Sequence, residues 1–474
     1  MKFLNFSLLL ISLFIYIFTY DFPESKIKTL DDFINTQMKE LNLKTVGLII
    51  VSYNLTLYKK IYGEDNKVTF QTPFILGSVS KSFTALAFLH LKNRYNISLN
   101  ETLDKFGLGD YIDEKDAKDI TLGELLNHTS GLDSFSSKRL YKKGFFNYSN
   151  YGFALLGKVI EKQSDGSYHD YLKQIILDPL KMNNTYVMFN NDIIDSYDNF
   201  LGFRTKYKGL ESEIGDGFYV PAGFISSSID DMGNYVQYYL NSDNDRYVSQ
   251  MTEGTIEVAY NQKYGMGMIY QNKSGQIIYK HNGATNSFLS LLSVYPKKDL
   301  GFFIVTNTRD GFCSDATEIL MNNIERFLLY DYYEYINIGV IFYTHFTIDI
   351  IILIFVAVPL TYLIISIVRK IKKKKYSWFI GIKGVIIFLI DIFVLIIYPV
   401  FLIISFYVFN SNIRYLAENS KDIKFLIWTT FSTTLLTFIV KLIYVFVYNK
   451  FFRKYEGKNI PDIGKDLDYF GVED

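Results

Sequence analysis

Hydrophobic and polar positions follow three different rhythms along the 474-residue chain. After Met1-Lys2 an apolar run extends from Phe3 to about Phe18, broken by Asn5 and serines, and gives way to Asp21-Phe22-Pro23-Glu24. A basic start, a short apolar stretch and a polar end predict a signal peptide or signal anchor over residues 1–20. Residues 21–335 are mixed, with scattered charges, glycines at turns and no run long enough to span a bilayer, and read as one folded domain. From residue 336 the pattern becomes long uncharged blocks.

Within 21–335 the period separates helices from strands. Phe33, Ile34, Met38 and Leu41 mark one face of an amphipathic helix over Asp31–Leu41, and helical patterns recur over Ser82–Tyr95, Tyr151–Gln163 and Ser228–Leu240. Val46–Val51 and Leu57–Tyr62, separated by a turn at Tyr53-Asn54, predict a strand pair. Four further β-rich runs follow at hairpin spacing: Tyr264–Tyr270, Gln276–His281, Phe288–Tyr295 and Leu300–Thr306. Both ends of the domain therefore feed a mostly antiparallel sheet, and the fold class is α/β (α+β).

The last block contains three spans. Ile350–Val368 has no charge, Gly384–Phe409 carries only Asp391, and Phe425–Tyr448 carries only Lys441. Each is long enough to cross a hydrocarbon core of about 30 Å, which predicts a membrane domain over 336–449 and a tail over 450–474. Arg369, Lys370 and Lys372–Lys375 follow the first span, and Lys450, Arg453 and Lys454 follow the third. The positive-inside rule places both segments in the cytoplasm and the folded domain on the extracytoplasmic side, as a signal segment requires. Asp391 and Lys441 fall at similar predicted depth and are expected to form an interhelical ion pair.

Composition narrows the partners. The 49 basic and 49 acidic residues cancel, so no overall field draws nucleic acid. The lipid bilayer is the one macroscopic partner expected, in keeping with 49% hydrophobic residues. The single cysteine, Cys313, excludes an internal disulfide and has no metal-ligand spacing around it.

Candidate chemistry begins at Ser78-Val79-Ser80-Lys81, which opens a helical run. Residues at i and i+3 share a helix face, so the Ser78 hydroxyl can meet the Lys81 amine at the positive end of the helix dipole. An ordinary lysine is protonated at neutral pH and needs desolvation to serve as a base. Alone the pattern is weak, because Ser25-Lys26-Ile27-Lys28 matches it too. Tyr148-Ser149-Asn150 precedes a second helix start: its phenol can act as a base if a nearby ammonium lowers its pKa, and Asn150 can hold both the lysine and a substrate carbonyl. His281-Asn282-Gly283 closes a predicted strand, where a polar edge residue followed by glycine lets substrate backbone lie alongside and the Ala284 amide donate to an oxyanion. His128, in Asn127-His128-Thr129-Ser130-Gly131, reads as a structural histidine before a glycine turn, since Lys81 and Tyr148 fill the proton-transfer positions.

Taken in order, these segments resemble the class C β-lactamase-like serine hydrolases, a family that includes penicillin-binding proteins, D-amino-acid peptidases and esterases. The resemblance runs from about Leu41 to Phe327 and also involves Ile120–Leu132, Pro221–Met232 and Tyr264–Gly267. It implies an antiparallel sheet flanked by helices with a separate helical lobe and the site between them. It further implies Ser78 as the acylated nucleophile, Lys81 and Tyr148 sharing proton transfer, Asn150 positioning substrate, and the amides of Ser78 and Ala284 as oxyanion hole, with no metal or other cofactor. His281 stands where such β-lactamases usually carry lysine, and Ser287 where relatives often carry glycine. A small peptide or ester substrate is therefore expected over a β-lactam antibiotic. The competing reading is a sensor acylated without turnover, whose helices pass on the signal.

Overall fold

The computed structural model describes residues 23–334, except 64–66, 188–192, 201–202, 209, 211–213, 242–245, 253–254, 274–275 and 311–313, together with isolated positions from Tyr343 onward. The chain divides into two compact units, Met1–Thr344 and His345–Asp474. The signal segment, Cys313, Asp391 and Lys441 lie outside the described residues, as do the three apolar spans apart from isolated helical positions such as Ile350, Ile364, Ile365 and Trp428. Among the described residues no helix is long and apolar enough to cross a membrane.

In the first unit α1 (Glu24–Glu40) leads into strands β1 (Thr45–Val51) and β2 (Thr56–Gly63). Helices α2 (Ser80–Tyr95), α3 (Asn150–Ser164) and α4 (Ile229–Leu240) come next. The chain then returns through β3 (Ile256–Ala259), β4 (Gln262–Tyr264), β5 (Ile269–Lys273), β6 (Gln276–Ala284), β7 (Leu289–Tyr295) and β8 (Leu300–Thr306) to α5 (Ser314–Tyr330). The eight strands form one sheet in the order β2-β1-β8-β7-β6-β5-β4-β3, every neighbour antiparallel. Both ends of the domain meet at β1 and β8, as the two sets of β-rich runs predict. The single strand expected over Tyr264–Tyr270 is instead two strands, because Gly265–Met268 forms a tight turn closed by Gly265 N–H to the Met268 carbonyl, with Gly267 at φ +76°.

The central strands β1, β7 and β8 are buried at every position because both faces are covered. Val46, Leu48 and Ile50 of β1 pack with Leu30, Phe33 and Ile34 of α1 and with Leu320 and Ile324 of α5. Ile49 and Val51 point the other way, into a core with Met232, Tyr235 and Val236 of α4. Helix α2 lies deepest: every residue from Ser80 to Leu89 is buried, the polar Ser80, Lys81, Ser82 and Thr84 among them. With α3 and the short helices Leu122–Leu126 and Tyr168–Leu172 it builds a helical lobe against this face of the sheet.

Candidate active site

Ser78 sits in a single 3₁₀ turn, Gly77–Val79, that leads into α2. It is partly exposed while its neighbours Gly77, Val79, Ser80 and Lys81 are buried, so its hydroxyl opens onto a cleft from an otherwise closed helix start. Lys81 Nζ lies 3.2 Å from Ser78 Oγ, as the i, i+3 spacing predicts. The same amine donates to Asn150 Oδ1 and to the Ala222 carbonyl, each at 2.6 Å. Its remaining surroundings are aromatic, with the Tyr148 ring 4.6 Å and the Phe153 ring 5.6 Å away.

Local chemistry fixes each partner. Ser149 caps α3, its Oγ accepting from Gly152 N–H at 3.0 Å and donating to the Asp133 carbonyl at 2.8 Å, which sets Asn150 at the first helical position. The Asn150 amide nitrogen donates to Ser134 Oγ at 3.1 Å, which assigns its oxygen to Lys81. The Val220–Ile225 segment is pinned to α2 by two hydroxyls: Thr84 Oγ1 donates to the Pro221 carbonyl at 2.6 Å, and Ser80 Oγ accepts from Ile225 N–H at 3.1 Å. Ala222 is thereby held with its carbonyl on the amine.

The protonation states follow. Lys81 is fully buried, and burial holds its pKa well below the usual lysine value. Among the described residues no carboxylate hydrogen-bonds to it; its partners are three neutral oxygens. Once deprotonated, the amine keeps two N–H donors, which the two short contacts would use, leaving its lone pair for Ser78. Burial pushes the Tyr148 phenol above its ordinary value despite a hydrogen bond with Ser78. The expectation of a phenol lowered by a neighbouring ammonium is therefore reversed: desolvation raises the phenol and lowers the amine.

Behind Tyr148 lies a second layer that sequence reasoning did not assign. His128, buried and at φ +57°, packs its ring 4.3 Å from that of Tyr148. Its Nδ1 accepts from Ser149 N–H at 3.1 Å, so Nε2 carries the proton and donates to Tyr264 Oη at 3.2 Å. Tyr264 Oη in turn donates to His281 Nε2 at 3.3 Å, and His281 Nδ1 donates to the Asn282 carbonyl at 2.6 Å. The run Ser149, His128, Tyr264, His281, Asn282 thus has one consistent direction, with both histidines neutral. Burial holds the His128 pKa well below the usual histidine value and brings His281 to about 4. The His281 ring, expected along the substrate, is turned inward onto Tyr264.

Strand β6 supplies the far wall. Its pairing with β5 ends at Lys280, so His281–Ala284 is bonded on the β7 side alone, with Asn282 and Ala284 exposed. A Cβ on Gly283 would collide with the Leu76 carbonyl oxygen, and one on Gly77 with the Ala284 amide nitrogen. That interlock explains the glycine of His281-Asn282-Gly283 and sets the Ala284 N–H beside Ser78, where an oxyanion donor is needed. Ser78, Lys81, Tyr148, Asn150, Gly283 and Ala284 are brought together. Tyr264 and the Ala222 carbonyl are the additions; both fall in segments that carried the family resemblance.

The Beta-lactamase family model matches residues 30–321. Protein flp of Staphylococcus aureus is 24% identical over 338 residues, covering 62% of this chain and 66% of that protein. Beta-lactamase-like protein 2 of Dictyostelium discoideum is 25% identical over 353 residues, covering 64% of each. The chain thus spans just under two thirds of the length of these relatives. The octameric penicillin-binding protein homologue from Pyrococcus abyssi shares the fold, with a TM-score of 0.55 at 24% identity over 64% of this chain and 77% of that one.

Proposed function

Since the chain belongs to the Beta-lactamase family, we propose that it is a membrane-anchored, extracytoplasmic serine hydrolase that opens amide or ester bonds of small peptides or esters through an acyl-enzyme on Ser78. The observation that carries this reading is the buried Lys81 amine, held by Asn150 and Ala222 with its Nζ 3.2 Å from Ser78 Oγ.

Ser78 Oγ–H gives its proton to Lys81 Nζ as Oγ attacks the carbonyl carbon, and the Ser78 and Ala284 amides receive the oxyanion. The leaving amine or alcohol departs with a proton passed from Lys81 through the neutral Tyr148 phenol, which hydrogen-bonds Ser78. Water then attacks the acyl-enzyme, its proton is taken by the same pair and returned to Ser78 Oγ as the acyl–Oγ bond breaks, and the acid product leaves. Asn150 holds the amine through both steps. His128, Tyr264 and His281 act as positioning residues that keep the Tyr148 ring in place, and no step calls for a metal or other cofactor. A histidine at 281, neutral and turned away from the cleft, puts no cation where a β-lactam carboxylate would need one, which favours peptide or ester substrates. Anchoring is supported by the three apolar spans and by Ile350, Ile364, Ile365 and Trp428, helical and exposed as lipid-facing side chains are.

Membranes bearing the full chain should be labelled by a fluorophosphonate or a fluorescent β-lactam, and Ser78→Ala should abolish the label. Labelling by neither reagent, or labelling that survives Ser78→Ala, defeats the proposal. Burst kinetics with a chromogenic ester should show continued turnover after the burst; a burst alone would favour the sensor.

A further inference from the structure

Residues 133–146 run from the Asp133 carbonyl that accepts from Ser149 to the doorstep of Tyr148, and this loop is firmly held. Asp133 N–H donates to the Lys138 carbonyl at 2.8 Å, Tyr141 N–H to the Gly131 carbonyl at 3.1 Å, and Gly144 N–H to the Thr129 carbonyl at 2.8 Å. Arg139 is paired with Asp116 and Asp119, and Lys143 with Asp119 and Glu124. An ordered loop with this much support could turn its apolar side chains inward, yet Phe135 is 59%, Leu140 61%, Tyr141 48% and Phe145 61% exposed. Four large apolar side chains within eleven residues, all in water, form the kind of patch that marks an interaction site.

The charges beside the patch indicate the partner. Lys138 and Lys142 are exposed among these side chains, and the Lys142 amine lies 4.9 Å over the Phe145 ring. Apolar and aromatic groups that reach the acyl boundary, with lysines left to snorkel at headgroup level, are what an anionic bilayer surface selects. The patch also borders the cleft: Tyr219 Oη donates to the Phe135 carbonyl at 2.7 Å, one residue before the segment that holds Lys81, and Ser134 receives the Asn150 amide.

We propose that the 135–145 loop docks onto the anionic surface of a lipid bilayer, its apolar side chains entering the interface and Lys138 and Lys142 meeting the headgroups, so that the cleft opens at the membrane and takes substrate from it. The proposal rests on the extracytoplasmic placement of this domain beside a bilayer, but the readout below needs no hydrolysis.

The test uses the full chain with Cys313→Ser and an environment-sensitive fluorophore on Leu140→Cys, in nanodiscs of phosphatidylcholine alone or mixed with phosphatidylglycerol. In the mixed nanodiscs the emission should shift to the blue and be quenched by brominated acyl chains, whereas the same fluorophore on Glu114→Cys should stay water-like. Lys138→Glu with Lys142→Glu should abolish the shift and leave the unfolding temperature unchanged. Water-like emission from position 140 in both lipids, or an equal shift in phosphatidylcholine alone, overturns the proposal. A shift in detergent that grows with protein concentration assigns the patch to a second copy of the chain and overturns it as well. Failure of the chain to enter nanodiscs defeats the anchoring reading alone, and the same emission is then read with vesicles of the two compositions.

Discussion

Asn150→Asp changes one atom and places a carboxylate where a neutral oxygen now lies 2.6 Å from the Lys81 amine. At an effective dielectric constant near 20, unit charges at that distance attract by about 6 kcal/mol. At about 1.36 kcal/mol per pKa unit this is a ceiling of 4 to 5 units on the rise of the lysine pKa. Desolvating the new carboxylate takes back several kcal/mol, so a rise of about 2 to 3 units survives. The amine then holds its proton to a pH higher by the same roughly 2 to 3 units, and at a pH where only the variant's amine is protonated kcat/KM should fall by up to about 100- to 1000-fold. The contact with Ser134 is kept, because its hydroxyl can turn to donate to the carboxylate. The assay is kcat/KM for a chromogenic ester from pH 5 to pH 10. The ascending limb of the variant should move to alkaline pH by about 2 to 3 units and recover much of the lost rate there. A limb that stays in place, with a uniform loss at every pH, refutes a neutral Lys81 as the base and returns that role to Tyr148.

Tyr264→Phe strips His128 Nε2–H of its acceptor and His281 Nε2 of its donor; both contacts are long, at 3.2 and 3.3 Å, so the cost is mainly that of two dry polar atoms, about 2 kcal/mol. Thermal unfolding of the full chain should show a midpoint lower by about 4 °C, and an unchanged midpoint would refute the directed run. Acid should weaken the fold for the same reason. With His281 at about 4 in the folded domain and about 6.5 when unfolded, only the unfolded chain takes the proton between those values. Stability should be unaffected by this group above pH 6.5 and should fall by about 1.4 kcal/mol per unit from there to pH 4, a slope that denaturant titrations should find reduced in His281→Gln. Gly283→Ala drives a methyl into the Leu76 carbonyl and should cost about 1 to 3 kcal/mol in the same titrations while slowing fluorophosphonate labelling of Ser78.

The sheet was legible because each strand carried its own signal. β1 and β8 are continuous apolar runs, as strands covered on both faces must be, and the hairpin spacing of the later runs predicts antiparallel neighbours. Where local pattern and tertiary contact disagree the reading failed. Tyr264–Tyr270 has strand-like composition, but the Gly265–Met268 turn interrupts it against α2, where a Cβ on Gly267 would meet the Lys81 carbonyl oxygen and the Ala85 side chain. Ser78, Lys81 and Asn150 were legible because i, i+3 spacing and a helix start are local facts. The Ala222 carbonyl was not, since a backbone acceptor leaves no trace in residue identity. Tyr264 was hidden among 39 tyrosines, and only its place in a family-like segment marked it.

Desolvation of Lys81 is what the sequence reading required of a base, but its expectation of a lowered Tyr148 ran the wrong way. Counting side chains alone sets one ammonium beside one phenol, and the attraction between charges then argues for a lowered Tyr148. The folded site adds a backbone oxygen and an amide oxygen to the amine, buries the amine fully and desolvates the phenol. For two such groups with no carboxylate among their hydrogen-bond partners, desolvation outweighs attraction, and it acts on both in the direction of neutrality. A neutral amine and a neutral phenol suffice for the chemistry: the first accepts the Ser78 proton, and the second has a proton to pass to the leaving group. The histidines behind the phenol extend this logic: a proton on His281 Nε2 would aim a second donor at the Tyr264 oxygen, and a proton on His128 Nδ1 would set the ring against the Ser149 N–H. The same burial that positions the titratable groups of the site therefore shifts each of them toward its uncharged form.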